Sequence, residues 1–415
     1  MMLSCKKNRL TTTGEISGDN LLPENSSSSV ITNNIDLLRQ ILLRLPVKSL
    51  LVFKSVSKQW FSLISDPHFV HKHSLQNHLS IAGLFLRKWS SGMHPEFEFI
   101  FLDGKVTGSV PFKTLTFVND QAGINIEQSC NGLLCCSSNI WNTSKCKRNY
   151  YIYNPSTKQY TILPRSQFRK RSFVSIKSVS LAFDPFKSPH YEVICIWNND
   201  TYEYQIEIYS SKTASWRLSG DSFSSPSFIF HNKSGVFWNG SLHWISLTER
   251  TSLYFDIDQE SVKTMPMPPI NGQNCSIVYF GECRGHMHLI AMHNLWDRYF
   301  DIFEMGIDYT GWNLKYRVDL IAALTTAYPE MVYNIDIVDF FDDPFDFPVL
   351  LVEEEEESTK LVLQIPDKVI SYDLKEMSFN TIHDLSPAGL HGEGTVQYHY
   401  QWFDAYQYME TLACV

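Results

Sequence analysis

The feature that most constrains the fold of this chain is a repeating pattern across residues 80–410. Each repeat contains an apolar strand, a short polar turn and a second strand that often ends near proline. Six repeats begin at residues 99, 151, 206, 254, 301 and 369, so that successive starts are 52, 55, 48, 47 and 68 residues apart. Periods of roughly 40–50 residues, each with several strands, are typical of a β-propeller. The pattern therefore predicts an all-β, propeller-like domain of about six blades.

Turn and aromatic residues support the same architecture. Asn239-Gly240 lies between two apolar strands, and this pair is a strong signal for a β-hairpin because both positions tolerate positive φ. Aromatic residues make up 14% of the chain. Because most aromatic side chains of a propeller fill the space between blades, Trp216 and Trp244 are predicted to lie in the core rather than in a ligand cage.

Two segments near the C-terminal end carry more specific expectations. The acidic run Glu353–Glu357 is predicted to be a solvated insertion within the last blade, although it could also attract a basic partner. Residues 395–403 have a strand-like composition and follow the last repeat. We expect them to close the ring by pairing with the blade built from residues 80–118, because open sheet edges are a liability. The alternative is an extra strand on its own blade.

The N-terminal part of the chain has a helical periodicity instead. Apolar residues at positions 37, 38, 41, 42 and 45 fall on one helical face, and Pro46 ends this helix because proline disfavours the helical region for the residue before it. A second pattern covers positions 47, 50, 51 and 56, and a third runs from Trp60 to a stop at Asp66-Pro67. Three helices this short cannot bury all their leucines in a core of their own. The segment is therefore predicted to dock onto a partner.

Three joined motifs identify this segment further. Leu-Pro-Val-Lys-Ser-Leu at 45–50, Val-Ser-Lys-x-Trp at 56–60 and Leu-Ile-Ser-Asp-Pro at 63–67 occur in the order and spacing of the F-box, which residues 33–74 resemble. The resemblance implies an all-α module of three helices that binds the Skp-type adaptor of a cullin–RING ubiquitin ligase. It places the following residues at or just beneath the adaptor contact: Leu37, Ile41, Leu42, Leu45, Pro46, Leu50, Val56 and Trp60.

The segment departs from the usual F-box pattern at two places. Asn33-Asn34 stands where family members usually have Leu-Pro, and Gln40 stands where they have Glu. Since Asn is a good residue at the start of a helix, we expect the first helix to form.

The C-terminal region resembles the F-box-associated domain of plant F-box proteins. The similarity covers most of residues 80–410, and its best motifs are Ser129–Leu133, Tyr153–Thr157 and Asn239–Trp244. The resemblance implies a propeller-like domain that recruits a substrate protein. The repeat pattern predicts the propeller independently, but it does not predict the recruiting role.

Composition limits the classes of partner. A net charge of −9 and a pI of about 5.9 argue against nucleic-acid binding, which favours basic faces. No run approaches the roughly 18 apolar residues of a membrane helix. Nine cysteines without regular spacing favour reduced thiols in the cytoplasm or nucleus. Residues 1–30 are polar and serine-rich, so they are predicted to form a disordered leader.

Signatures of an enzyme are absent from the sequence. It contains no phosphate-binding loop, no dinucleotide fingerprint, no nucleophile elbow and no His-Glu-x-x-His motif. One patch is rich in possible metal ligands, but the Cys-x2–4-Cys spacing of structural zinc sites is missing. We therefore expect no cofactor, no metal and no catalytic residue, and we expect strand packing and a surface hairpin for this patch, which consists of Cys275, Cys283, His286, His288 and His293.

Together these features predict a two-part, non-catalytic adaptor. Residues 33–74 would bind the Skp-type adaptor and, through it, cullin, while residues 80–410 would hold a protein substrate. The substrate and the residues that bind it are not readable from the sequence, because surface loops vary freely on a common scaffold. Two alternatives remain open: an F-box scaffold that acts outside the ligase, and a propeller that binds a small ligand or glycan.

Overall fold

The computed structural model describes residues 34–77, 80–88, 95–103, 115–119, 123–138, 148–169, 175–198, 203–224, 234–246, 252–270, 275–293, 299–329, 348–365, 368–385, 400 and 402–415. The predicted leader at residues 1–30 lies outside this part of the chain. The chain divides into two compact units, residues 1–42 and residues 43–415.

The helices of the described residues lie mainly near the N-terminus. They are α1 (Ile35–Leu42), α2 (Val47–Phe53), α3 (Lys58–Ser65), α4 (Pro67–Gln76) and α5 (Leu320–Ala327). The third helix ends at Ser65, in agreement with the predicted stop. The sequence pattern missed α4, which begins directly at Pro67 because the Asp66 side chain accepts the backbone N–H groups of His68 and Phe69. Proline is well tolerated at the first helical position.

The rest of the described chain is built almost entirely from strands. In chain order they are β1 (Ile81–Lys88), β2 (Glu96–Phe101), β3 (Ile124–Cys130), β4 (Leu133–Ser138), β5 (Tyr150–Asn154), β6 (Gln159–Ile162), β7 (Ser175–Ala182), β8 (Glu192–Asn198), β9 (Glu203–Ser210), β10 (Ser215–Ser224), β11 (Val236–Trp238), β12 (Ser241–Ile245), β13 (Ser252–Asp256), β14 (Ser261–Thr264), β15 (Cys275–Cys283), β16 (His286–His293), β17 (Phe300–Met305), β18 (Trp312–Val318), β19 (Val349–Glu354), β20 (Thr359–Ile365), β21 (Lys368–Asp373), β22 (Ser378–Asp384) and β23 (Ala405–Met409).

These strands form a six-bladed β-propeller. Blade 1 has the strand order β2-β1-β23, and blades 2 to 6 are antiparallel sheets of four consecutive strands: β3–β6, β7–β10, β11–β14, β15–β18 and β19–β22. The first strands of neighbouring blades contact one another, so they line the central channel. Each predicted repeat start falls in the third strand of its blade counted from the channel. The strand periodicity therefore located all six blades correctly.

The ring is closed by a strand from the C-terminal end of the chain. Strand β23 pairs antiparallel with β1, and Tyr406 lies opposite Phe85. Closure onto the first blade agrees with the prediction, but the predicted position at residues 395–403 is wrong. Residues 402–404 form a 3-10 helix, and residues 395–399 and 401 lie outside the described part. Strand β23 closes the ring because two of its side chains, Tyr406 and Tyr408, are buried against the aromatic side chains of β1 and β2.

Tryptophan side chains join neighbouring blades. The indole N–H of Trp216 in blade 3 donates to the carbonyl of Pro164, just beyond blade 2, at 2.6 Å. Trp312 in blade 5 donates in the same way to Pro266, just beyond blade 4, at 2.8 Å. Trp216 and Trp244 are both buried, as predicted. Each such residue combines apolar packing with a satisfied indole N–H group.

The turn and loop predictions have mixed outcomes. Asn239 and Gly240 form the predicted tight turn, with φ values of 47° and 70°. The solvated insertion predicted for Glu353–Glu357 is wrong at its start, because Glu353 and Glu354 belong to β19 and Glu354 is buried. The Glu354 carboxylate lies 2.9 Å from the ammonium group of Lys315, which explains how a charged residue is accommodated there.

Candidate functional site

The first candidate surface is helix α1, in the N-terminal unit. The Asn34 side chain accepts the backbone N–H of Leu37 at 3.1 Å. Asn34, which departs from the usual F-box pattern, therefore caps the N-terminus of α1. Leu38 and Leu42 are buried, whereas Leu37 and Ile41 expose 39% and 41% of their surface. The helix therefore leaves part of its apolar surface open to solvent.

The Leu45-Pro46 segment before α2 is fixed by a histidine. The ring Nε2 of His73 lies 2.8 Å from the carbonyl of Leu45, and burial lowers the pKa of His73. Because a carbonyl only accepts hydrogen bonds, the neutral ring carries its proton on Nε2. Pro46 precedes α2 and is exposed, while Leu50 is fully buried.

Helix α3 and the end of α2 present a second set of exposed apolar side chains. The Ser57 side chain caps α3 by accepting the backbone N–H of Trp60, and the Trp60 ring packs edge-on against Phe53 with ring centres 5.4 Å apart. Val56 exposes 58% of its surface, and Phe61 is similarly open. Phe61 lies in α3, whereas Val56 lies in the turn between α2 and α3.

The eight residues predicted to contact the adaptor occupy three environments. Leu37, Ile41, Pro46 and Val56 are exposed, Leu45 and Trp60 are partly buried, and Leu42 and Leu50 are buried. Sequence reasoning missed three further exposed apolar residues of these helices, Ile35, Val52 and Phe61. Phe61 falls within the third helical pattern, but a run of adjacent apolar residues does not show which of them faces solvent.

Comparison with known proteins decides the family. The family model for the F-box domain matches residues 34–72, and that for the F-box associated beta propeller domain matches residues 96–376. This chain is an F-box protein. The two matched segments correspond to the N-terminal helices and to most of the propeller. By family, this combination is that of an SCF-type substrate adaptor.

The F-box protein has relatives in Arabidopsis thaliana. F-box protein At5g07610 is 32% identical, with 94% of each chain covered. F-box protein At5g49610 is 30% identical over 65% of this chain and 74% of the relative, and F-box/kelch-repeat protein At3g23880 is 25% identical over 62% and 71%. Among solved structures, the SapL1 lectin in complex with alpha methyl fucoside aligns with a TM-score of 0.37 and 12% identity, over 75% of this chain and 98% of the lectin.

The central channel of the F-box protein contains a cavity of about 130 Å³, lined by the innermost strands of five blades. The Glu282 carboxylate lies at its wall and accepts the backbone N–H of Gly285 at 2.7 Å. Burial raises the pKa of Glu282 to about 7. The volume is below the roughly 300–1,000 Å³ of drug-sized ligand pockets. The cavity is therefore too small to enclose a ligand of that size.

The patch that suggested metal binding is an ion-pair cluster. His286 and His288 share one face of β16, as strand geometry predicts, with ring centres 6.2 Å apart. His286 contacts Glu304 at 2.6 Å, and buried His288 contacts Glu354 at 3.1 Å. The Lys315 ammonium lies near both carboxylates, and with His288 it lowers the pKa of Glu354 to about 2. His286 thus contacts a carboxylate of the adjacent strand β17, and His288 contacts a carboxylate of β19 in the next blade.

Cys283, a further member of that patch, contacts this cluster through the backbone of Glu354. The Cys283 thiol is buried and accepts the backbone N–H of Glu354 at 3.5 Å. The side chains of Cys275 and His293 lie outside the described part of the chain. Within the described residues, no group of three His, Cys, Asp or Glu side chains has the geometry to hold a metal ion, and no helix is long and apolar enough to cross a membrane.

Proposed function

We propose that this F-box protein binds the Skp-type adaptor through its N-terminal helices and recruits a protein substrate through its propeller. The observation that carries the proposal is the exposure of apolar side chains on α1, α2 and α3, beside capped helix termini. Exposed apolar residues grouped on ordered elements are typical of protein interaction surfaces. The proposed contact residues remain Leu37, Ile41, Leu42, Leu45, Pro46, Leu50, Val56 and Trp60.

In this proposal the protein contributes proximity rather than chemistry. Binding a substrate close to the charged E2 raises the effective concentration of its lysines, which converts an intermolecular encounter into a local one. Ubiquitin transfer is then catalysed by other subunits, so this chain needs neither a nucleophile nor a general base. A cytoplasmic or nuclear location is part of the same proposal.

The proposal is tested by asking which proteins depend on this chain for their turnover. Leu37→Asp with Ile41→Asp places charges on two exposed positions of α1, so the variant should fold but fail to bind the adaptor. Proximity labelling in cells should reveal neighbours of both proteins, but only the wild type should lower the level of the substrate.

The matched control is Leu218→Asp, which changes a similarly exposed residue of the propeller strand β10. A true substrate is protected by proteasome inhibition. Without the inhibitor it should be degraded to the same extent in cells with the wild type and in cells with this control. If no neighbour is depleted by the wild type more than by the α1 variant, the substrate-adaptor proposal is contradicted.

A further inference from the structure

The last six residues of the chain form a segment with a buried centre, which leaves blade 1 and crosses the propeller surface. We call this segment, Glu410–Val415, the C-terminal tail. Thr411, Leu412 and Ala413 are almost completely buried. Ala413 packs in the hydrophobic cluster that joins blades 2 and 3, and Val415 packs against the same cluster. The tail therefore extends from the closing strand across blade 2 to the next seam.

Blade 2 holds the tail through one asparagine. The Asn154 side-chain amide donates to the carbonyls of Thr411 and Ala413 at 3.2 and 2.8 Å. Its carbonyl oxygen accepts the backbone N–H groups of Ser156 and Thr157, so the same side chain also shapes its own turn. Asn154 is fully buried. Both halves of the amide are thus used, and only the amide nitrogen contacts the tail.

A glycine in the neighbouring turn makes room for the tail. Gly132 has a φ of +88°, and a Cβ atom at this position would lie 2.5 Å from Cγ2 of Thr411 and 2.9 Å from the carbonyl oxygen of Met409. Two of the three motifs that resemble the F-box-associated domain contain Gly132 and Asn154. Both motifs therefore have a physical role in seating the tail.

The tail also contacts helix α2, which together with α3 and α4 belongs to the same compact unit as the propeller. The Lys48 ammonium in α2 lies 2.7 Å from the Glu410 carboxylate, and this contact raises the pKa of Lys48. A second contact lies beyond the tail, where Nδ1 of His71 in α4 is 3.0 Å from the carbonyl of Pro185 in blade 3. The helices are therefore attached to the propeller at two separate points.

We infer that the C-terminal tail is a positioning segment, which fixes helices α2–α4 on the propeller and so sets the angle at which a bound substrate faces the ligase. The inference rests on the proposed function for its consequence, but the attachment itself can be tested separately. Asn154 holds the tail on blade 2, and Glu410 holds α2 on the tail. Loss of the first contact should release the second.

The test uses full-length protein bound to the Skp-type adaptor and a zero-length carbodiimide cross-linker. In the wild type the reagent should join Lys48 to Glu410, because it couples an amine directly to a carboxylate in contact with it. Asn154→Asp keeps the oxygen that shapes the turn but replaces the donor with an acceptor facing two carbonyls. We expect this variant to lose the cross-link while keeping its affinity for the adaptor.

The matched control is Asn239→Asp. Asn239 lies in a turn of blade 4, a blade that the tail does not cross, and donates in the same way to the carbonyl of Ile307 at 3.0 Å. This control should retain the cross-link. Absence of the cross-link in the wild type, or its persistence in Asn154→Asp, would overturn the inference. Failure of the wild type to bind the adaptor would instead count against the proposed function. In that case the cross-link can still be measured in the free protein.

A second readout separates positioning from general stability. In the reconstituted ligase, the set of propeller lysines that receive ubiquitin should be narrow for the wild type and broader for Asn154→Asp, at equal adaptor occupancy. Glu410→Lys should broaden the set in the same way, and Lys48→Glu with Glu410→Lys should restore it by re-forming the pair with reversed charges. An unchanged set of modified lysines in both disrupted variants would contradict the positioning role.

Discussion

The side-chain amide of Gln407 in blade 1 donates a hydrogen bond across the central channel to the backbone carbonyl of Glu282 in blade 5, at 2.8 Å. Gln128 makes similar bridges from blade 2, where its amide contacts Leu181 of blade 3 and the carbonyl of Gly235 before blade 4. The ring is therefore closed at the β1–β23 edge and also braced across its centre.

The two glutamines should differ in their contribution to stability. Among the residues that the structure describes, the Gln128 side chain makes three hydrogen bonds to backbone groups, whereas the Gln407 side chain makes one. At about 1 kcal/mol for each bond, Gln128→Leu should lower the free energy of unfolding by about 3 kcal/mol and Gln407→Leu by about 1 kcal/mol. Chemical denaturation of the two purified variants measures the difference. Equal losses would show that the cross-channel bonds do not brace the ring as described.

Two glycines in equivalent turns allow a test of the close passage of the tail. Gly132 and Gly240 have φ values of +88° and +70°, but only Gly132 has neighbours that a Cβ atom would touch. Both alanine variants should lose roughly 1–2 kcal/mol of stability, because a residue with a Cβ atom is strained in the left-handed region. Gly132→Ala should lose about 1–3 kcal/mol more through overpacking against Thr411. Thermal or chemical unfolding that ranks the two variants equally would argue against a tightly seated tail.

Acid sensitivity is expected from His243. Burial lowers the pKa of this fully buried side chain from 6.5 to about 4, and its ring contacts Tyr309 at 2.8 Å. Between pH 6.5 and 4 the unfolded chain binds a proton that the native state does not bind. The free energy of unfolding therefore has its full value above pH 6.5 and falls as the pH drops towards 4. Relative to His243→Gln, the wild type should lose about 3 kcal/mol over that range.

The measurement is the free energy of unfolding of both proteins at several pH values between 7 and 4. His190→Gln, at an exposed position, is the control for histidine removal in general. Parallel pH profiles for the wild type and His243→Gln would mean that His243 is protonated as easily in the native state as in the unfolded chain.

Removal of residues 405–415 deletes the closing strand and the tail together. The deletion exposes the edge of β1 and the aromatic surface that Tyr406 and Tyr408 cover, so the protein should melt at a lower temperature and aggregate. Size-exclusion chromatography and a thermal melt provide the measurement. A soluble monomer with an unchanged melting temperature would show that the ring does not need this strand.

Local patterns predicted the blades because each strand carries its own signal. The Asn239-Gly240 turn and the regularly spaced third strands are encoded by neighbouring residues, and the structure has both. The closing strand was harder to locate, since residues 395–403 and 405–409 have similar compositions. Only the fit of Tyr406 and Tyr408 against distant aromatic side chains distinguishes them.

Contacts between residues that are distant in sequence could not be predicted from local patterns. Glu354 sits in an acidic run that indicates a solvated loop, yet it is buried because Lys315 and His288, far apart in sequence, converge on it. The bridges from Gln128 and Gln407 and the seating of the tail by Asn154 have the same origin. The motifs that contain such residues could be recognised, but their partners could be identified only from the fold.

The adaptor-docking surface is best tested at its exposed residues. Leu45 and Pro46 belong to the strongest motif, but the Leu45 carbonyl holds the ring of His73, so changes there could disturb the helices themselves. Leu37 and Ile41 are exposed on α1 and their side chains can be changed with less effect on folding. They are therefore the preferred positions for measuring the interaction.

The measurement that tests the central claim most directly is the affinity of the full-length protein for the Skp-type adaptor, determined by isothermal titration calorimetry. Anchor residues typically contribute about 2 kcal/mol or more each, so Leu37→Asp with Ile41→Asp should weaken binding by about a thousandfold. Leu218→Asp, with a similarly exposed side chain on the propeller, should bind like the wild type. No binding by the wild type, or equal affinity for all three proteins, would contradict the account.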